Sequence, residues 1–154
     1  GILPGYKGVV TLDEHYQKGI IAPAKLEADF IDFVLRCKAQ GYKIYEAYCD
    51  SAEQTLIEGL RTACRKARLN IDIKNARKGT ITERIRFYLM MMGLSRYTVL
   101  RRCTHLIEAF SSAVWDAKHV TDDVRLDDGK HNIDSLDALE YSTESLMADI
   151  ITLR

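Results

Sequence analysis

Apolar residues along the chain switch between two periods. Lys43-Ile44-Tyr45-Glu46-Ala47-Tyr48-Cys49 mixes aromatic and branched residues and predicts a strand that ends at Asp50. Before it, "AKLEADFIDFVLRCKAQG" places Leu26, Phe30, Phe33, Val34 and Cys37 at helical spacing, with Gly41 as the stop. After it, Ser51 and Gln54 have capping-box spacing and open a helix to about Arg68, with Leu56, Ile57, Leu60, Ala63 and Cys64 inward. "GVVTLDEHYQKG" predicts an earlier strand behind the Pro4-Gly5 turn, and "NIDIKNA" a short later one. Thr80 and Glu83 form a second capping box ahead of "RIRFYLMMMGL", a helix ending at Gly93.

"RYTVLRRC" is a further strand candidate and "THLIEAFSSAVW" a further helix; residues 116–130 are polar and turn-rich and predict a loop or short hairpin. Residues 132–153 predict one closing helix with an apolar face of Ile133, Leu136, Leu139, Leu146, Met147 and Ile150. Strands alternating with helices give an α/β layered sheet. The Met90-Met91-Met92 run is read as gap filling in a core or groove.

At 154 residues and 47% hydrophobic content the chain predicts a single domain, 1–154, with a real core. No apolar run reaches about 18 residues and no secretion signal opens the chain, so it reads as soluble and intracellular, with no membrane partner. Cys37, Cys49, Cys64 and Cys103 include no CxxC pair and read as reduced, mostly buried thiols. P-loop, GxGxxG, GxSxG and HExxH patterns are absent, so nucleotide binding, serine-nucleophile and zincin chemistry have no motif here.

The formal net charge is zero, yet segments 1–60, 61–102 and 103–154 carry −3, +10 and −7. A basic middle beside an acidic end suits a polyanion held next to bound cations, although a charge run is also an ordinary solvated helix face. In "DSLDALEY", Asp134 and Asp137 share a helix face and Tyr141 lies one turn beyond. Helix capping by Asp134 and a first-turn acid at Asp137 is one reading. The other pairs them with Asp50 at its strand tip, as oxygen ligands suited to Mg²⁺ or Mn²⁺. Two such ions about 4 Å apart clamp the attacking and leaving oxygens of a phosphodiester. His131, three residues before Asp134, reads as an exposed loop residue, with the border of such a metal site as the other reading.

"EAYCDSAEQTLIEGL", "KNARKGTITERIRFYLM", "TVLRRCTHLIEAFSSAVWDAK" and "IDSLDALEYS" together resemble the C-terminal nuclease domain of tailed-bacteriophage terminase large subunits, over roughly residues 9–148. The resemblance implies an RNase H-like mixed sheet flanked by helices and a two-metal Mg²⁺ or Mn²⁺ site that cuts double-stranded DNA with low sequence preference. It implies metal and catalytic roles for Asp50 and Asp137 with Asp134 assisting, and DNA-backbone contacts for Lys74, Arg77, Lys78 and Arg84. It further implies the terminase small subunit and portal protein as partners, the host cytoplasm as location, and an ATPase half that is not in this chain. Relatives carry another aspartate in a D-x-G pattern on the first strand. "GILPGYKGVVTLDEHY" is similar to the later part of that first hairpin, so the chain is expected to lack its opening strand, with Asp13 the nearest substitute. That departure leaves a second expectation, a catalytically silent RNase H-like module that docks DNA or packaging proteins.

Overall fold

The computed structural model describes residues 1–50, 52–119 and 124–152. In chain order the elements are β1 (Val9–Thr11), α1 (Pro23–Ala39), β2 (Glu46–Cys49), α2 (Gln54–Lys66), β3 (Asp72–Asn75), α3 (Ile81–Gly93), β4 (Tyr97–Val99), α4 (Thr104–Ser112), α5 (Asp134–Glu144) and α6 (Met147–Thr152). They form two compact units, one of Gln17–Arg77 and one of Gly1–Tyr16 with Lys78–Arg154. The architecture is mixed α/β. Instead of the single mixed sheet expected, the described strands make two separate two-stranded parallel sheets, β1–β4 and β2–β3.

In the 17–77 unit, β2 and β3 run in register from Glu46↔Asp72 to Cys49↔Asn75, with α2 as the crossover that a parallel pair requires. Val34, Ile57, Leu60, Cys64, Leu69 and Ile73 fill its core. α1 closes in a Schellman turn: Tyr42 N–H donates to Cys37 O at 3.1 Å and Gly41, at φ 86°, donates to Lys38 O at 2.9 Å. The same turn closes α2 on Arg68 at φ 54°, a left-handed position with no glycine to announce it. Arg61, part of the basic run, does not merely face solvent: its Nε and Nη2 donate to Ile73 O at 3.1 and 2.9 Å and pin β3.

In the other unit, β1 and β4 pair as Val9↔Tyr97 through Thr11↔Val99, and Ile2 bridges Val9 on the antiparallel side. The strand read into residues 8–19 is three residues long. Glu14 explains why it stops. Its Oε1 accepts from His105 N–H at 2.8 Å and its Oε2 from Leu106 N–H at 3.0 Å, capping α4. Tyr16 stacks on His105 at 4.5 Å, so "LDEHY" leaves the ladder to hold a helix start. Replacing Glu14 by alanine is expected to cost about 1–2 kcal/mol in urea unfolding, because two amides lose their acceptor. A cost below about 0.3 kcal/mol would remove Glu14 as the cap.

Val9, Phe87, Met91, Cys103, Leu106 and Ile150 are among the buried residues of this core; Met91 fills it while Met92 is exposed. α3 ends at Gly93, but the left-handed residue is Ser95, where Arg96 N–H donates to Met91 O at 2.8 Å. Residues 114–116 and 124–126 pair as two antiparallel arms through a Trp115–Arg125 bridge. The expected closing helix is broken into α5 and α6. Ser142 Oγ donates to Leu139 O at 2.6 Å and Thr143 Oγ1 shares a 2.7 Å bond with Tyr88 OH. Hydroxyls in the Ser142-Thr143-Glu144-Ser145 run compete for helical carbonyls, and the helix stops there.

Tyr88 and Tyr97 meet edge to face at 5.1 Å. Burial raises both hydroxyls, Tyr97 to about 12 against the hydrogen bond from Thr11. The folded pKa lies above the unfolded value near 10, so this contribution is whole below pH 10 and is lost as pH climbs toward 12. Melting followed by circular dichroism should therefore fall across that window, and fall less in Tyr97→Phe. Equal slopes would contradict the assignment.

Candidate functional site: acidic positions and a buried ion network

Asp50 follows the last residue of β2, and its Oδ1 accepts Ala52 N–H at 2.9 Å in an Asx turn. The side chain is exposed. Ser51, the expected cap, lies outside the described residues; α2 starts at Gln54 behind Glu53, which makes no side-chain cap bond. In the same unit Lys74 does not stand alone: Nζ pairs with Glu46, with Asp72 at 3.5 Å, and lies 6.0 Å over the Tyr48 ring. The Lys74 hydrogen bond, with a second from Tyr48, holds the Glu46 carboxyl below its ordinary range. Arg77 is exposed.

Asp134, in the other unit, is the exposed first residue of α5. It does not cap the helix. Asn132 does: its Oδ1 accepts Ser135 N–H at 3.1 Å and its Nδ2 donates to His105 O at 3.3 Å. His131 pairs with Asp128 at 2.8 Å, and that bond, with the amides of Lys130 and His131, holds the Asp128 carboxyl well below the carboxylate range. Asp13 accepts the amide of Glu14 at 2.9 Å.

One turn beyond Asp134, Asp137 opens onto a network that sequence reasoning missed. Arg125 Nη1 donates to Asp137 Oδ1 and to Glu140 Oε2, each at 3.2 Å, while Nη2 donates to Glu140 Oε1. Arg84 Nη1 lies 3.2 Å from Glu140 Oε2 and 3.6 Å from Asp137 Oδ1. Arg84 and Arg125 are each 7% exposed and Glu140 3%. The Asp137 side chain keeps 32% of its surface in solvent. Arg84, read as a DNA-backbone contact, is therefore an interior cation facing the acids of α5. Burial pushes the Glu140 carboxyl up, against the pull of the Arg125 hydrogen bond and the two positive charges. The overlooked signal was positional: Glu140 falls on the Leu136, Leu139, Thr143 stripe, and an acid placed on a buried stripe demands a cation.

One exposed and one buried cation flank the same helix. Lys78 Nζ lies 5.8 Å from the Tyr141 ring centre and Arg84 Cζ 5.1 Å. Glu144, at the end of α5, accepts Gly79 N–H; a Cβ on Gly79 would sit 2.6 Å from its Oε1, a contact the flexible carboxylate end would relieve by shifting.

Carboxylate oxygens are the donor type Mg²⁺ and Mn²⁺ prefer, and Asp50, Asp134 and Asp137 fit such an ion by chemistry and exposure. Among the described residues no three His, Cys, Asp or Glu side chains are grouped as a ready-made metal site, and Asp137 faces guanidinium nitrogens. All four cysteines are free thiols, with Cys49 and Cys103 raised chiefly by burial, which suits inert structural groups. Among the described residues no helix is long and apolar enough to cross a membrane. Compared with protein-family models, with curated proteins and with solved structures, the chain matches none.

Proposed function

We propose that the chain is the nuclease module of a tailed-phage packaging motor, an RNase H-like domain that hydrolyses double-stranded DNA with low sequence preference. The observation that carries this reading is local to α5: Asp134 is exposed and Asp137 one-third exposed, one turn apart, with Lys78 and Arg84 against Tyr141 one turn further along. Carboxylates beside cations suit a phosphodiester met together with Mg²⁺ or Mn²⁺. Asp134 and Asp137 would hold an ion on α5, with Asp50 the candidate ligand of the other unit; the chemistry such ions supply is to activate water and stabilise the leaving oxygen. Exposed Arg77 and Lys78, with Lys74, would contact phosphates, and such contacts position the duplex without reading its sequence. Arg84 serves differently, as counter-charge to the acids. Packaging would place the chain in the host cytoplasm with the terminase small subunit and portal protein.

A second reading, DNA docking without cleavage, draws on one observation: both guanidiniums already engage Asp137. Nicking of supercoiled plasmid separates the two. With Mn²⁺ at low salt the nuclease converts supercoiled to open-circular DNA, and EDTA stops it. Retention of DNA that weakens steeply with salt, with no cutting under any divalent ion, would establish docking alone.

A further inference from the structure

We propose that the unit of Gly1–Tyr16 with Lys78–Arg154 carries a small-molecule site, a cavity lined by α3, β4 and α4 that takes an uncharged, largely apolar molecule bearing a carbonyl. The inference is independent of the nuclease reading. It starts in the sequence of α3. Arg84, Phe87, Tyr88 and Met91 are the buried stripe of that helix, yet Ile85, Leu89 and Met92 recur at i, i+4 and i+7 as a second apolar stripe beside it, with Leu89 and Met92 exposed. A helix at a domain surface normally turns one apolar stripe to the core. α4 repeats the arrangement: Leu106 and Ala109 are buried, while Ile107 and Phe110 lie on an adjoining stripe that Val114 continues past the helix end. The two spare stripes line one cavity of about 660 Å³.

Tyr97 and Val99, which share a face of β4, line the same cavity, as do Leu136 and Glu140 of α5 and Arg125 of the hairpin arm. Walls drawn from so many segments make a concave site rather than a flat face, and the volume falls within the roughly 300–1,000 Å³ typical of small-molecule pockets. Its few polar groups select the occupant. The Tyr88 and Tyr97 hydroxyls are engaged by Thr143 and Thr11 at 2.7 and 2.9 Å, so these residues offer their rings. Arg125 and Glu140 are paired through both terminal nitrogens of the guanidinium, and their charges cancel at the cavity wall. An anion entering beside them meets Glu140, a cation meets Arg125, and an uncharged molecule avoids both penalties. Among the described residues Arg125 makes three hydrogen bonds, to Asp137 and Glu140, and a guanidinium has five N–H groups, so a donor remains for a carbonyl oxygen.

Trp115 is the only tryptophan of the chain and lines this cavity half-exposed, so its fluorescence reports occupancy. The experiment titrates the neutral dye N-phenyl-1-naphthylamine into the full chain while exciting Trp115, then displaces it with 2-decanone, decanoate or decylamine, which share a carbon count and differ in charge. The dye should saturate at one per chain and quench Trp115, and 2-decanone should displace it roughly tenfold better than either charged relative. Leu89→Glu, at an exposed lining position, should weaken the dye by roughly tenfold with the circular dichroism unchanged, whereas Leu35→Glu, exposed on α1 in the other unit, should not. Should Leu89→Glu fail to fold, the stoichiometry and displacement order of the wild type still decide. Absent or unsaturable binding, or equal losses in the two variants, overturns the site. A preference for decanoate or decylamine overturns the uncharged ligand. A dimer that excludes the dye and that Leu89→Glu dissociates gives the cavity to a second copy of the chain and overturns the small-molecule reading.

Discussion

Asp137→Asn is expected to reduce Mn²⁺-dependent plasmid nicking by more than about 100-fold while the protein stays folded. Asparagine keeps the shape and an oxygen that can accept from Arg125, and the side chain is one-third exposed, so the stability cost should be about 1 kcal/mol. Activity and stability are thus expected to separate, which is the mark of a residue whose charge is used. Asp50→Asn should behave alike, because the asparagine carbonyl can still accept Ala52 N–H and keep the Asx turn. Asp50→Ala would confuse the two effects by removing the turn as well. Full cutting by both asparagine variants would refute the assigned roles.

The second large effect is on folding. Glu140→Ala leaves two guanidiniums that are each 7% exposed facing, among the described carboxylates, Asp137 alone, and breaking a buried charge pair from one side typically costs about 3–5 kcal/mol. Replacing both partners, Glu140→Leu with Arg125→Met, should cost much less, since an apolar pair of similar volume needs no counter-charge. Urea unfolding of the single and double variants checks this. A single variant within about 1 kcal/mol of wild type would mean that water reaches the network.

Much of the helical framework was legible in the chain. The apolar spacing of α1 and α2 marks the face that meets β2 and β3, Gly41 marks the end of α1, and Thr80 does accept Glu83 N–H at 3.4 Å as its capping box implied. What was hidden depends on partners remote in sequence or on side-chain competition. Arg68 and Ser95 take left-handed turns that glycine would have advertised. Glu14 belongs by composition to a strand and by contact to the start of α4, ninety-one residues away for His105. The hydroxyl run falls in the gap between Leu139 and Leu146 of an apolar period that resumes through Ile150, and the helix breaks there.

The candidate acids show the same division. Asp50 at a strand end and Asp134 with Asp137 on one helix face could be read from spacing, and the structure keeps each at such a place. Their surroundings could not. Arg84 and Arg125 are forty-one residues apart and belong to α3 and a hairpin arm, so only tertiary packing joins them to Glu140. The local charge of 61–102 suggested cations turned outward. Arg61 on Ile73 O and Arg84 on Glu140 turn inward, while Arg77 and Lys78 are exposed.

Anomalous diffraction from crystals soaked in Mn²⁺ tests the account most directly. Density bonded to the carboxylate of Asp137, and density bonded to that of Asp50, each at about 2.1 Å, is the predicted result. Ions that ignore both aspartates in crystals of a protein that still cuts DNA would contradict it.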